Sequence, residues 1–196
     1  MKTNIVKNKD PFFKYAIVSI CFLERARKQI KCFDDGIPES LFYAALELRM
    51  GIEARLFEYI EASRRTKKKS VKPITDFQAT KLLKELSKID PKTADKQTLI
   101  FAIEGSGQGT SLEYTPVTKE LASDHGKLGE ILHFNFFKNK KHWYFKERLK
   151  KKNKKESLLD YRDFLYKVAG ELEEANRGNL FAPFGFFEFI NRLNKK

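Results

Sequence analysis

The sequence predicts a mainly α protein, an antiparallel helical bundle with a small two-stranded β-hairpin insertion. Three observations carry this expectation. Apolar residues recur at helical spacing over most of the chain, helix-start and helix-stop residues bracket those stretches, and the period shortens to two only over 98–117. With 196 residues, 41% of them hydrophobic and 18 of them Phe, the chain can bury a sizeable core. A single domain over 1–196 is expected, with the hairpin 98–117 inserted and an aromatic segment, 180–193, packed back on the bundle.

Asp10-Pro11 suits an N-cap followed by the first helical position, and Phe13, Ile17, Ile20, Leu23 and Ile30 continue at helical spacing to about Cys32. Asp34-Asp35-Gly36 makes a turn. Ile37-Pro38-Glu39 opens a second helix reaching about Ser63, so the first two helices form a hairpin. Arg64 to Lys72 is then a linker or an extension of that helix. A third helix, Asp76 to Ile89, carries Phe77, Leu82, Leu83 and Leu86 and stops at Asp90-Pro91.

Thr98 to Glu104 and Thr110 to Val117 read as strands around Gly105-Ser106-Gly107-Gln108-Gly109. That glycine loop lacks the Gly-Lys-Ser/Thr and the helix start that a phosphate cradle requires, so it reads as a turn. Two further helices follow, about Val117 to Phe134 and Ser157 to Asn176, the latter ended by Gly178, with a helical stretch between them at His142 to Lys154. No internal repeat and no Ser-, Gly- or Pro-rich linker divides the chain.

A transmembrane helix needs roughly 20 apolar residues in a row, whereas Tyr15 to Leu23 is closed off by Lys14 and Glu24. The N-terminal region mimics a signal peptide but offers no small-residue cleavage site, so it is expected to remain uncleaved. Cys21 and Cys32 lie about 16 Å apart along one helix, too far to bridge, and read as free thiols of a cytoplasmic protein.

The net charge of +13 has an address. Arg64, Arg65, Lys67, Lys68, Lys69 and Lys72 contribute +6, and Lys138 to Lys155 contributes +9, so the rest of the chain carries −2. The second run includes Lys138, Lys140, Lys141, Trp143, Lys150, Lys151, Lys152, Lys154 and Lys155. Cations interleaved with rings suit a polyanion, because phosphates are neutralised and bases can stack. Nucleic acid is therefore the expected partner, RNA over DNA, with a lipid surface as the competitor.

On the second helix, Phe42, Ala45, Leu46, Leu48, Met50, Ile52, Leu56, Phe57, Tyr59 and Ile60 fill one apolar arc, and Arg49 and Glu53 fall within it. A charge so placed must be paired. The two either fix the register of the bundle or line an internal polar site. On the later helix, His125 points between Leu121 and Leu132, and His133 lies at the apolar border. Gly126 and Gly129 suggest close approach by another helix or a bend. Glu130 and His133 have a Glu-x-x-His spacing, but the carboxylates a bundle metal site also needs are missing, so neither metal nor other cofactor is expected.

The segments Ala-Leu-Glu-Leu-Arg49-Met-Gly-Ile-Glu53 and His125-Gly-Lys-Leu-Gly-Glu-Ile-Leu-His133 resemble the helical bundles of the HEPN superfamily. The resemblance implies a dimer that cleaves RNA without a metal, with His133 as acid or base, a cation near Lys127, and Arg49 and Glu53 as a supporting pair. This sequence departs from the pattern in having no arginine separated from a following histidine by four to six intervening residues, and Lys127 stands in that relation to His133. Many relatives bind or scaffold without catalysis. The resemblance thus implies an RNA-binding bundle, either an active metal-independent endoribonuclease or a degenerate one. The alternative is a noncatalytic assembly module of a phage, defence or toxin-antitoxin system that contacts a protein partner through Phe181, Phe184, Phe186, Phe187 and Phe189.

Overall fold

The computed structural model describes residues 18–67, 78–89, 97–102, 109–132 and 154–178. Five helices account for most of them: α1 (Ser19–Asp34), α2 (Ser40–Lys67), α3 (Ala79–Ile89), α4 (Lys119–Leu132) and α5 (Lys154–Arg177). Strands β1 (Gln97–Ala102) and β2 (Gly109–Tyr114) pair antiparallel, with Gln97 opposite Tyr114 and Ala102 opposite Gly109. The Asp10-Pro11 helix start, the hairpin tip and the 180–193 aromatic segment lie outside the described residues.

The turn between α1 and α2 follows directly from its residues. The N–H of Ile37 donates to Cys32 O and that of Gly36 to Phe33 O, the paired bonds of a Schellman ending, and Gly36 sits at φ +96° where a side chain would be strained. At the other end of α1, the N–H of Ser19 donates to Glu58 Oε1 at 2.8 Å, and Ser19 Oγ donates to Gly51 O at 2.9 Å. Thr118 Oγ1 accepts from the N–H of Leu121, which caps α4.

α2 is the hub, packing against α1, α3, α4 and α5. Its side chains Leu41, Ala44, Ala45, Leu48, Ile52, Leu56, Tyr59 and Ile60 are buried and join Leu23, Ile30, Leu82, Leu86, Leu121, Leu165 and Leu172 in one core. The buried arc is rotated from the one the apolar pattern predicts. Phe42, Leu46 and Met50 are exposed, while Leu41 and Ala44 are buried in their place. On α1, Ile20 is exposed and Cys21, Phe22 and Ala26 turn inward. A helix whose apolar arc is this broad does not by itself select its buried side; the four partner helices select it.

α2 also runs four residues beyond Ser63, so Arg64, Arg65 and Lys67 belong to the helix. Lys68, Lys69 and Lys72 lie outside the described residues, as do Lys138, Lys140, Lys141, Trp143, Lys150, Lys151 and Lys152. Lys154 and Lys155 open α5. Among the described residues, no helix is long and apolar enough to cross a membrane, and neither Cys21 nor Cys32 is in a disulfide.

Two polar clamps close the bundle. Arg55, only 5% exposed, donates from Nε to Ala175 O at 2.8 Å, from Nη2 to Gly178 O at 2.7 Å and from Nη1 to Glu58 Oε2 at 2.8 Å, with its guanidinium over the Tyr59 ring. The Tyr59 hydroxyl donates toward Thr115 O and Ala175 O. Together they satisfy carbonyls that the end of α5 would otherwise leave open. On the outer side, Arg27 pairs with Glu173, and Arg162 and Tyr166 both bond Asp34, holding α1 to α5.

Candidate functional site

α4 crosses α2 so that His125 faces Glu53 and, one turn on, Gly129 faces Arg49. His125 Nε2 lies 2.6 Å from Glu53 Oε1, and Arg49 Nε donates to the same oxygen at 3.4 Å. Glu53 is 7% exposed and His125 4%, so this is a buried polar contact between two helices. His125 Nε2 and Arg49 Nε thus converge on one carboxylate oxygen. No hydrogen bond among the described residues engages Nδ1, the other ring nitrogen.

Gly129 makes room for the arginine. A Cβ there would meet Arg49 Nη1 at 2.5 Å and Cζ at 3.2 Å, so the tip of the guanidinium occupies the space that the missing side chain leaves on α4. The two glycines that are poor helix formers thus differ in purpose, because a Cβ on Gly126 would meet nothing within 4 Å. Beside them opens a cleft of about 420 Å³ lined by Arg49, His125, Gly126 and Gly129, with Ala122 and Ser123 of α4 and with Gln78 and Thr80 at the start of α3. That first turn of α3 contains no acidic residue.

Arg49 is fixed by one donor, and among the described residues no hydrogen bond takes up Nη1 or Nη2. A half-buried guanidinium held by a carboxylate beside a cleft can take an oxyanion in a two-pronged grip. A histidine whose Nε2–H is tied to a carboxylate keeps Nδ1 for proton exchange, the orienting arrangement of carboxylate–histidine pairs. The site therefore sets a guanidinium and an imidazole around one carboxylate on facing helices.

The sequence-predicted residues divide accordingly. Arg49 and Glu53 meet as expected from their spacing. His133 lies outside the described residues, and the imidazole placed against Glu53 belongs to His125. Lys127 donates to Asp124 Oδ1 at 2.6 Å, and Lys167 of α5 donates to Asp124 Oδ2 at 2.9 Å. Asp124 is nearly fully buried, and its hydrogen bond holds the Lys167 ammonium above the usual lysine range. The α4–α5 contact is made by Lys167, whereas Lys127 bonds Asp124 within α4 and is not among the residues that line the cleft.

His125 was legible as a residue on the apolar side of its helix. Its partner was not, because the register of α4 on α2 is a long-range property. Among the described residues, no group of three or more His, Cys, Asp or Glu is placed to hold a metal ion. Comparison with known protein families, curated proteins and solved structures finds no match to this chain.

Proposed function

We propose that the chain is a cytoplasmic, HEPN-like helical protein that binds RNA through its two Lys/Arg-rich segments and seats a backbone phosphate in the cleft at Arg49. The observation that carries this reading is Arg49 itself, a guanidinium held by Glu53 against Gly129 in a residue that lines the cleft. The charge distribution supports it, since Arg64 to Lys72 begins on the helix that carries Arg49 and the chain outside the two basic segments is slightly acidic. Cations along a strand release counterions, and this term dominates affinity for nucleic acid.

The test is a salt titration of binding to single-stranded RNA. Affinity is expected to fall steeply, with a log-log slope of about −0.7 for each phosphate neutralised. It falls again when Lys150 to Lys155 are neutralised and when Arg49 is replaced by Ala. Binding that ignores salt, or no binding, removes the reading.

The 2.6 Å contact between His125 and Glu53 favours a second reading, in which the same cleft cleaves the strand without a metal. Nδ1 of neutral His125 would accept the proton of a ribose 2′-hydroxyl as that oxygen attacks the adjacent phosphorus. The bond to the 5′-oxygen breaks, that oxygen takes a proton from solvent, and a 2′,3′-cyclic phosphate is left. Arg49 would stabilise the added charge on the phosphoryl oxygens. Cleavage insensitive to EDTA and lost in His125→Ala is the expected result; cleavage at an unchanged rate in that variant excludes the mechanism.

A further inference from the structure

Three helices bring hydrogen-bonding groups to the cleft beside Gly126. Arg49 comes from α2, and His125 comes from α4, only 4% exposed, with Nδ1 unengaged among the described residues. Gln78 and Thr80 mark the start of α3, an 11-residue helix whose first turn carries no acid. The opening N–H groups of a helix have no partner within it. Gln78 O accepts from the N–H groups of Lys81 and Leu82, both at 2.9 Å, but nothing among the described residues accepts from those of Ala79 and Thr80. The positive end of the α3 dipole therefore stands at the cleft.

Among the described residues no carboxylate lines this cleft. Glu53 is 7% exposed and already taken by His125 and Arg49, Asp124 is bonded to Lys127 and Lys167, and Glu120, exposed one turn before Ser123, is not among the lining residues. A guanidinium, a buried imidazole and a helix N-terminus thus share one space, and what they have in common is affinity for an oxyanion.

We propose that the cleft holds a phosphomonoester, the phosphate at the end of an RNA strand and not one within it. This rests on the RNA-binding reading above and specifies which phosphate is seated at Arg49. A phosphodiester offers two free oxygens and a single charge, whereas a phosphomonoester offers three oxygens and about −1.5 to −2 charges at pH 7, which matches donors arriving from α2, α3 and α4. A monoester also keeps or releases its last proton at about pH 6, so it meets Nδ1 of His125 in either state, accepting from an N–H or donating to the lone pair. A diester has no such proton. Gly126 keeps the space clear, since a Cβ there would meet nothing within 4 Å.

The experiment measures binding of the full chain to oligouridylates of one length that differ only at an end: a phosphate at the 5′ or the 3′ terminus, the methyl ester of each phosphate, or hydroxyls at both. Uridine 5′-monophosphate is the remaining probe. A terminal phosphate at one of the two ends is expected to strengthen binding about tenfold over its methyl ester. Gly126→Met, which fills the cleft from an open position, should remove that preference, and Arg49→Lys, which keeps the charge but loses the fork, should reduce it. Melting temperatures show that both variants are folded.

Wild-type protein that binds all the strands alike, or a preference that survives undiminished in either variant, overturns the monoester site and leaves the RNA-binding reading in place. Uridine 5′-monophosphate bound by the wild type and lost in Gly126→Met, with no strand bound, supports the monoester site and removes the RNA-binding reading in favour of a free nucleotide. Protein that binds none of the probes removes both.

Discussion

His125 of α4 meets Glu53 of α2 at 2.6 Å inside the bundle, and the carboxylate oxygen they share is also the one that holds Arg49. One buried oxygen therefore ties two helices together and orients the guanidinium that faces the cleft. Removing either partner leaves the other desolvated without a counterpart, which is the costly half of any buried hydrogen bond.

Glu53→Gln, Glu53→Ala and His125→Ala should each destabilise the protein, the alanine variants by about 1–3 kcal/mol. The double variant should lose less than the sum of the two alanine variants, with a coupling of at least about 0.5 kcal/mol. Urea unfolding of the four proteins measures it, and strict additivity would show that the contact contributes nothing.

The same substitution, Gly→Ala, should have three different outcomes on these helices. At Gly51 a Cβ would meet Leu172 Cδ2 at 2.8 Å and Phe22 Cβ at 3.2 Å, where α1, α2 and α5 converge, so Gly51→Ala should cost about 1–3 kcal/mol despite the better helix former. At Gly126 the space is open, and Gly126→Ala should stabilise by up to about 1 kcal/mol. At Gly129 the new methyl displaces the flexible Arg49 tip, so Gly129→Ala should leave stability nearly level while weakening RNA affinity. Melting temperatures and binding isotherms on the three variants separate these effects.

Burial pushes the Tyr59 phenol up to about 12, with the nearby Arg55 charge pulling the other way. Its folded pKa exceeds its unfolded value near 10, so the protonated hydroxyl contributes stability that is fully present below pH 10. That contribution is lost as pH rises from about 10 toward 12, by about 2–3 kcal/mol in all. Tyr59→Phe should be less stable at neutral pH, because Thr115 O loses the hydroxyl that donates to it, while Ala175 O keeps Arg55. Its stability should decline less steeply above pH 10 than that of the wild type. Denaturant midpoints from pH 8 to 11.5 decide this, and parallel curves for the two proteins would exclude Tyr59 as the cause.

The two thiols should react at different stages. Burial raises the Cys21 thiol above its ordinary range, and the carboxylate of Glu24 adds to this, so little thiolate forms. Cys32 is only half-buried near the end of α1. Under mild alkylation of the folded protein, mass spectrometry should find modification at Cys32, with Cys21 following only as denaturant opens the bundle. Equal rates would contradict the packing of α1.

The local grammar of this fold is written in short stretches of chain. Asp34-Asp35-Gly36 specifies a helix ending, and the helical period marks α2, α3, α4 and α5, because each of these depends on residues within one or two turns. The address of the positive charge is likewise a property of sequence alone. Which side of α2 is buried was decided elsewhere. With Leu41, Phe42, Ala44, Leu46, Leu48 and Met50 distributed around the helix, only contact with four neighbours chose Leu41 and Leu48 for the core and left Phe42, Leu46 and Met50 outside. Arg55 carried no signal until the carbonyls of Ala175 and Gly178 arrived to accept from it, and Glu53 had no imidazole until α4 settled in its register. Periodicity encodes the shape of a single helix; the pairing of two helices depends on complementary surfaces that are distant in sequence, and that complementarity exists only once the chain has folded.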